Sequence, residues 1–177
     1  MSGESHFDRL CKAARQKHGR DLMEGSVLGI DPGQTTGYCH LKVTDGRATL
    51  ISVQQLNTKQ IEDCAQVFLP KFQEIQPTII VVEQYRVYGN KTKQHANSNL
   101  HTSQVIGVIK GMAALTATPV VEQGAGIAKQ WCTNDKLRQW GFYQPGLKHA
   151  MDAVRHACYY TIFGPAVNQS KGGHHVG

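Results

Sequence analysis

The sequence predicts an α/β fold, a five-stranded mixed sheet with helices on both faces. Three observations lead there. The apolar core opens on a strand and a hairpin in immediate succession; two further short runs are rich in β-branched residues; and stretches of helical period alternate with those runs. A meander followed by strand–helix alternation combines antiparallel and parallel pairs in one sheet.

The first strand is Val27-Leu28-Gly29-Ile30-Asp31, an apolar run ending in a carboxylate. Pro32, Gly33 and Gly37 follow and fit a tight turn. Residues 38–43 and 48–53 flank Asp45-Gly46, a dipeptide that tolerates the positive φ angles of a two-residue hairpin. Ile61, Ala65, Phe68, Leu69, Phe72 and Ile75 recur at spacings of three and four, giving a helix over about 59–76 stopped by Pro77. Residues 78–82 are almost wholly apolar and β-branched, as in a central strand covered on both faces, and the run ends at Glu83.

Residues 86–99 have no apolar period and are expected to form a long mobile loop. Residues 100–117 are helical, with Ser103, Gly107 and Gly111 spaced by four. Small residues at that spacing admit the close approach of another backbone, such as that of the chain's own sheet. A fifth strand covers 119–122, one or two short helices lie within 127–140, and a last helix covers 149–163.

Three regions follow: an N-terminal extension over 1–25, a domain over 26–163 and a flexible tail over 164–177. Phe7, Leu10, Cys11 and Ala14 lie at helical spacing within the extension, which carries no functional assignment. The tail is rich in Gly and polar residues, and its His174-His175 pair carries no structural expectation.

Of 177 residues, 40% are hydrophobic and 18% charged, as in a globular domain. No apolar stretch reaches the roughly 18 residues of a membrane span, and no apolar signal region opens the chain. A cytoplasmic protein without a membrane partner is expected. The 19 Lys and Arg against 13 Asp and Glu give a net charge of +6, which favours polyanionic partners. Cys11, Cys39, Cys64, Cys132 and Cys158 form no C-x-x-C pair and read as buried thiols.

Asp31 and Glu83 each end an apolar strand. If those strands are parallel neighbours, both carboxylates emerge at the same carboxyl edge of the sheet, where open α/β folds place their ligand sites. His149 and Asp152, three apart in the last helix, share one face. Should that face meet the edge, Asp31, Glu83, His149 and Asp152 converge. Carboxylate oxygens suit Mg²⁺ or Mn²⁺, with imidazole better tolerated by Mn²⁺. A pair of such ions supports phosphodiester hydrolysis.

These residues resemble the RuvC-like Holliday junction resolvases of the RNase H-like superfamily. The resemblance runs over about 27–163 and rests on four motifs: GIDPG-x-x-TG from Gly29 to Gly37, the strand ending in Glu83-Gln84, Ser103-Gln104-Val105-Ile106-Gly107, and His149-x-x-Asp152-Ala153. The PGL-x-HA-x-DA-x-RH arrangement from Pro145 to His156 looks closest to the bacteriophage-encoded branch, which would place the protein in a bacterial host's cytoplasm. The resemblance implies an RNase H-like sheet and four catalytic, metal-binding positions at Asp31, Glu83, His149 and Asp152, holding two Mg²⁺ or Mn²⁺ ions. It also implies a homodimer acting on four-way junctions, with the Ser103-Gly107-Gly111 face as a candidate dimer contact; forks and flaps are further expected substrates.

Lys129, Lys136, Arg138 and Lys148 are candidate phosphate contacts, and Lys91 and Lys93 add charge to the long loop. The bacterial enzymes carry an aromatic residue three positions after the Glu. Here Arg86 stands there, with Tyr85 and Tyr88 beside it as candidate stacking residues. Broad specificity for branched DNA is expected in place of strict sequence preference. Two alternatives remain open: an RNase H-like nuclease acting on RNA or in DNA packaging, and an actin-like or sugar-kinase ATP-binding lobe suggested by Asp31-Pro32-Gly33-x-x-Thr36-Gly37. The latter needs a second lobe and a second glycine-rich phosphate motif.

Overall fold

The computed structural model describes residues 4–85 and 96–165. Among these, one sheet holds β1 (Gly25–Asp31), β2 (Thr35–Thr44), β3 (Arg47–Asn57), β4 (Ile79–Gln84) and β5 (Val120–Gly124) in the order β3-β2-β1-β4-β5. β1–β2 and β2–β3 are antiparallel, while β1–β4 and β4–β5 are parallel. The helices are α1 (His6–Lys17), α2 (Ile61–Ile75), α3 (Ala96–Leu115), α4 (Ala125–Trp131), α5 (Asn134–Gln139) and α6 (Lys148–Phe163). This is the five-stranded mixed sheet the sequence predicts.

The central strands explain the two-faced cover. Alternate side chains of a strand point to opposite faces. Val27, Ile79 and Val81 enter one core with α1 and α6, while Leu28, Ile30, Ile80 and Val82 enter the other with α2 and α3. The hairpin also forms as expected, with Asp45 at φ 52° and Gly46 at φ 69°.

α6 is buried along most of its length, including Ala150, Met151, Asp152, Ala153, Val154, Ala157 and Cys158. It lies across β1 and β2 and is covered by α1 and α4. Its C-terminal turn is held from the N-terminal segment. Arg15, wholly buried, donates from Nε to the carbonyl of Thr161 at 2.8 Å and from its guanidinium to the carbonyl of Asp21 at 2.6 Å. Carbonyls at a helix C-terminus carry partial negative charge, so they help to stabilise this cation. α1 is started by a capping box between Ser5 and Asp8, and its Phe7 ring packs 4.9 Å from Trp140 and 5.2 Å from Phe142.

α3 begins at Ala96, inside the stretch expected to be loop. Its first turn, Ala96-Asn97-Ser98-Asn99, offers no apolar period to read. Ser103, Gly107 and Gly111 are exposed, and a Cβ added at either glycine would meet open space. The stripe therefore does not pack on the chain's own sheet, which overturns that reading of it. No helix among the described residues is long and apolar enough to cross a membrane.

Candidate metal centre

Asp31 is the last residue of β1 and lies one step beyond the Ile30–Val82 pair in the parallel register, beside Glu83. Its parity matches Val27, and that of Glu83 matches Ile79 and Val81, so both carboxylates face α6. The turn after Asp31 is fixed by a buried threonine pair. Thr58 Oγ1 donates to the Gly33 carbonyl at 2.6 Å, and Thr36 Oγ1 lies 2.7 Å from Thr58 Oγ1.

Two glycines let α6 reach this edge. A Cβ at Gly37 would overlap the carbonyl oxygen of His149, and one at Gly29 would overlap that of Ala153. The glycines of the first motif thus permit the backbone of the His149-x-x-Asp152-Ala153 motif to press on the sheet. The first turn of α6 has no side-chain cap of its own; the His149 amide donates instead to Gln55 Oε1 of β3 at 3.0 Å.

Oxygens of Asp31, Glu83 and Asp152 all lie within 4.8 Å of one another. Asp31 and Asp152 are each only 8% exposed. The fourth expected ligand, His149, stands beside this group, its Nδ1 2.9 Å from Asp31 Oδ2. Lys129, anticipated as a phosphate contact, reaches into the cluster. Its ammonium lies 3.1 Å from Glu83 Oε2 and 3.0 Å from Asp152 Oδ2.

Burial pushes the Asp31 carboxyl up to about 6, and the Glu83 and Asp152 charges add to it; the His149 hydrogen bond and Lys129 pull the other way. Burial also acts upward on Glu83, but hydrogen bonds and charge from His156 and Lys129 outweigh it and hold that carboxyl below its ordinary value. Lys129 is partly buried, yet the two anions raise it above the usual lysine value. Crowded buried carboxylates, one of them pushed toward neutrality, are short of positive charge. Their all-oxygen donor set fits a hard divalent cation, with His149 adjacent as an imidazole donor.

Three contacting residues were given no role from the sequence, although Arg155 and His156 close the PGL-x-HA-x-DA-x-RH arrangement. Arg155 donates to Asp152 Oδ1 at 2.6 Å, and His156 Nε2 lies 3.0 Å from Glu83 Oε2. Gln123, the cross-strand partner of Glu83, lies 3.0 Å from His156 Nδ1 through its Oε1. The spacing of Asp152, Arg155 and His156 at three and four was the available signal, since such residues share a helix face.

The remaining candidates are scattered. Tyr85 is half-buried and lines a cavity of about 350 Å³ with Glu83 and residues 124–127. Lys136 donates to the Trp131 carbonyl at 2.7 Å, with its ammonium 3.9 Å from the ring centroid. Arg138 pairs with Asp135 at 2.8 Å, and Lys148 is exposed at the start of α6. Arg86, Tyr88, Lys91 and Lys93 lie outside the described residues. A larger cavity, about 630 Å³ and lined by Phe72, Gln76, Pro77 and Thr118, sits before the amino ends of β4 and β5, away from the carboxylates.

No family model matches the sequence, and no curated protein does. Solved structures match in fold. The T. thermophilus RuvC in complex with a Holliday junction substrate has a TM-score of 0.65 at 18% identity, covering 77% of this chain and 93% of that one. The yeast mitochondrial Holliday junction resolvase Ydc2 has a TM-score of 0.58 at 12% identity, covering 88% and 90%. The Fowlpox virus resolvase in complex with Holliday junction DNA has a TM-score of 0.55 at 12% identity, covering 77% and 96%. This chain has the RNase H-like fold of RuvC and these other Holliday junction resolvases.

Proposed function

We propose that this chain is a metal-dependent, structure-selective endonuclease that resolves four-way junctions and other branched DNA. The observation that carries the reading is the convergence of Asp31, Glu83 and Asp152, from two adjacent parallel strands and a crossing helix. The fold it shares with two proteins seen on Holliday junction DNA supports the choice of substrate.

Asp31, Glu83 and Asp152 would hold Mg²⁺ or Mn²⁺, two ions per site, with His149 as a further donor. Such ions, when bound, supply the Lewis acidity and water activation that phosphodiester hydrolysis needs. The chain's own residues keep the carboxylates in place. His149 holds one oxygen of Asp31, Arg155 one of Asp152 and His156 one of Glu83. Lys129 offsets the negative charge of Glu83 and Asp152. Lys136, Arg138 and Lys148 are assigned to the phosphate backbone of the arms, and Tyr85 to stacking near the branch.

The reading includes a homodimer, in which two sites cut strands of like polarity. The exposed face of α3 suits that contact, since Ser103, Gly107 and Gly111 leave it flat and Leu100 and Leu115 are 62% and 83% exposed. Five unpaired, buried cysteines fit a reducing cytoplasm. The test offers matched four-way, three-way, flap, duplex and RNA-hybrid substrates with Mg²⁺ or Mn²⁺. Branched DNA is cut fastest if the proposal holds; faster cutting of the hybrid assigns the same site to RNA.

A further inference from the structure

Each carboxylate of the cluster has two oxygens, and a metal site needs particular ones turned inward. On Asp152, Oδ1 accepts from Arg155 at 2.6 Å while Oδ2 faces Lys129 at 3.0 Å. On Glu83, Oε2 meets both His156 at 3.0 Å and the Lys129 ammonium at 3.1 Å, while Oε1 lies 3.2 Å from that ammonium and has no contact with His156. Consecutive residues of α6 therefore grip two carboxylates that come from different elements. In each case the second oxygen is free of that grip and faces the place where a cation already stands.

The two grips are themselves anchored. Arg155 Nε donates to the Cys132 carbonyl at 3.0 Å, and the guanidinium also donates to Asn134 Oδ1. His156 has no solvent exposure and is held on its far side by Gln123 Oε1 at 3.0 Å. Because Gln123 pairs with Glu83 across β4 and β5, the imidazole ties helix and both strands together beneath the site. An ionised carboxylate only accepts, so the bond to Glu83 assigns the hydrogen to His156 Nε2. A wholly buried imidazole with each nitrogen committed to the site is doing more than filling volume.

We propose that Arg155 and His156 are positioning residues of the nuclease, fixing Asp152 and Glu83 so that one oxygen of each points at the metal. This rests on the metal-dependent reading above. Donors behind metal-binding carboxylates set their orientation, and losing one costs about 10–100-fold in metal affinity.

The readout is Mn²⁺ affinity of the DNA-free full chain by calorimetry, with junction cleavage alongside. His156→Leu keeps the volume and removes the donor; His156→Gln restores an amide N–H near the Nε2 position. Leu should weaken Mn²⁺ binding by about 10–100-fold, and Gln should recover most of it. Arg155→Met should weaken it similarly. If His156→Leu does not fold, Gln123→Leu removes the outer anchor without touching a carboxylate, and a measurable weakening is required there. Unchanged Mn²⁺ affinity in the folded variants, with wild-type protein binding Mn²⁺ and cutting junctions, overturns the positioning role alone. Wild-type protein that neither binds Mn²⁺ nor cuts overturns the underlying reading as well.

Discussion

Gly37 lies directly under the carbonyl oxygen of His149, so close that a Cβ there has no space. β2 and α6 thus meet backbone to backbone at the residue that contacts Asp31. Gly37→Ala should lift the start of α6, costing about 1–3 kcal/mol in stability by overpacking and cutting cleavage more severely than stability alone explains. Urea melts and single-turnover cleavage measure the two. A variant as stable and as active as wild type would mean that the contact does not govern the site.

Asp31→Asn should lower cleavage by at least about 100-fold while junction binding, assayed in Ca²⁺, persists. The substitution removes an anionic ligand and also lowers the negative charge that DNA must approach. Equal loss of binding and cleavage would assign Asp31 a structural role.

The pH behaviour follows from the same residue. With Asp31 raised to about 6, the folded protein holds a proton that the unfolded chain has already released over the window below that value. Its contribution to stability therefore falls as pH rises toward about 6, and the full penalty stands above it. Glu83, held low, works oppositely, with its stabilisation lost as pH falls. The Tm difference between metal-free Asp31→Asn and wild type isolates the Asp31 share. It should be small near pH 4 and grow in the variant's favour toward pH 7. A difference that does not vary with pH would contradict the raised value.

Lys129 shares Glu83 and Asp152 oxygens with any incoming cation. Lys129→Met should lower the metal-free Tm, because two buried carboxylates lose their counter-charge. It should also tighten Mn²⁺ binding to the DNA-free protein, because a competitor is gone. Weaker Mn²⁺ binding in the variant would make Lys129 an aid to the metal and not its rival.

Much of this was legible in the sequence. The runs before Asp31 and Glu83 are apolar at every position because β1 and β4 are covered on both faces, and each stops at a carboxylate that faces α6. Asp45-Gly46 specified its own turn. What could not be read is which cation serves which anion. Lys129 looks like any basic residue on a short helix, and only the crossing of α4 and α6 puts it on the carboxylates. Arg15 is a charged residue in a charged segment, and its burial depends on the carbonyls of α6. His156 follows Asp152 by four, a spacing shared by any pair on a helix face, so its bond to Glu83 depends on a strand from elsewhere in the chain.

The most direct test is a synthetic four-way junction, labelled in turn on each strand, incubated with the protein and Mn²⁺ and then with DNA ligase. The predicted result is paired nicks at symmetric positions in strands of like polarity, giving resealable duplexes, abolished by EDTA and by Asp31→Asn. Cleavage that persists in EDTA, or an RNA–DNA hybrid cut faster than the junction, would contradict it.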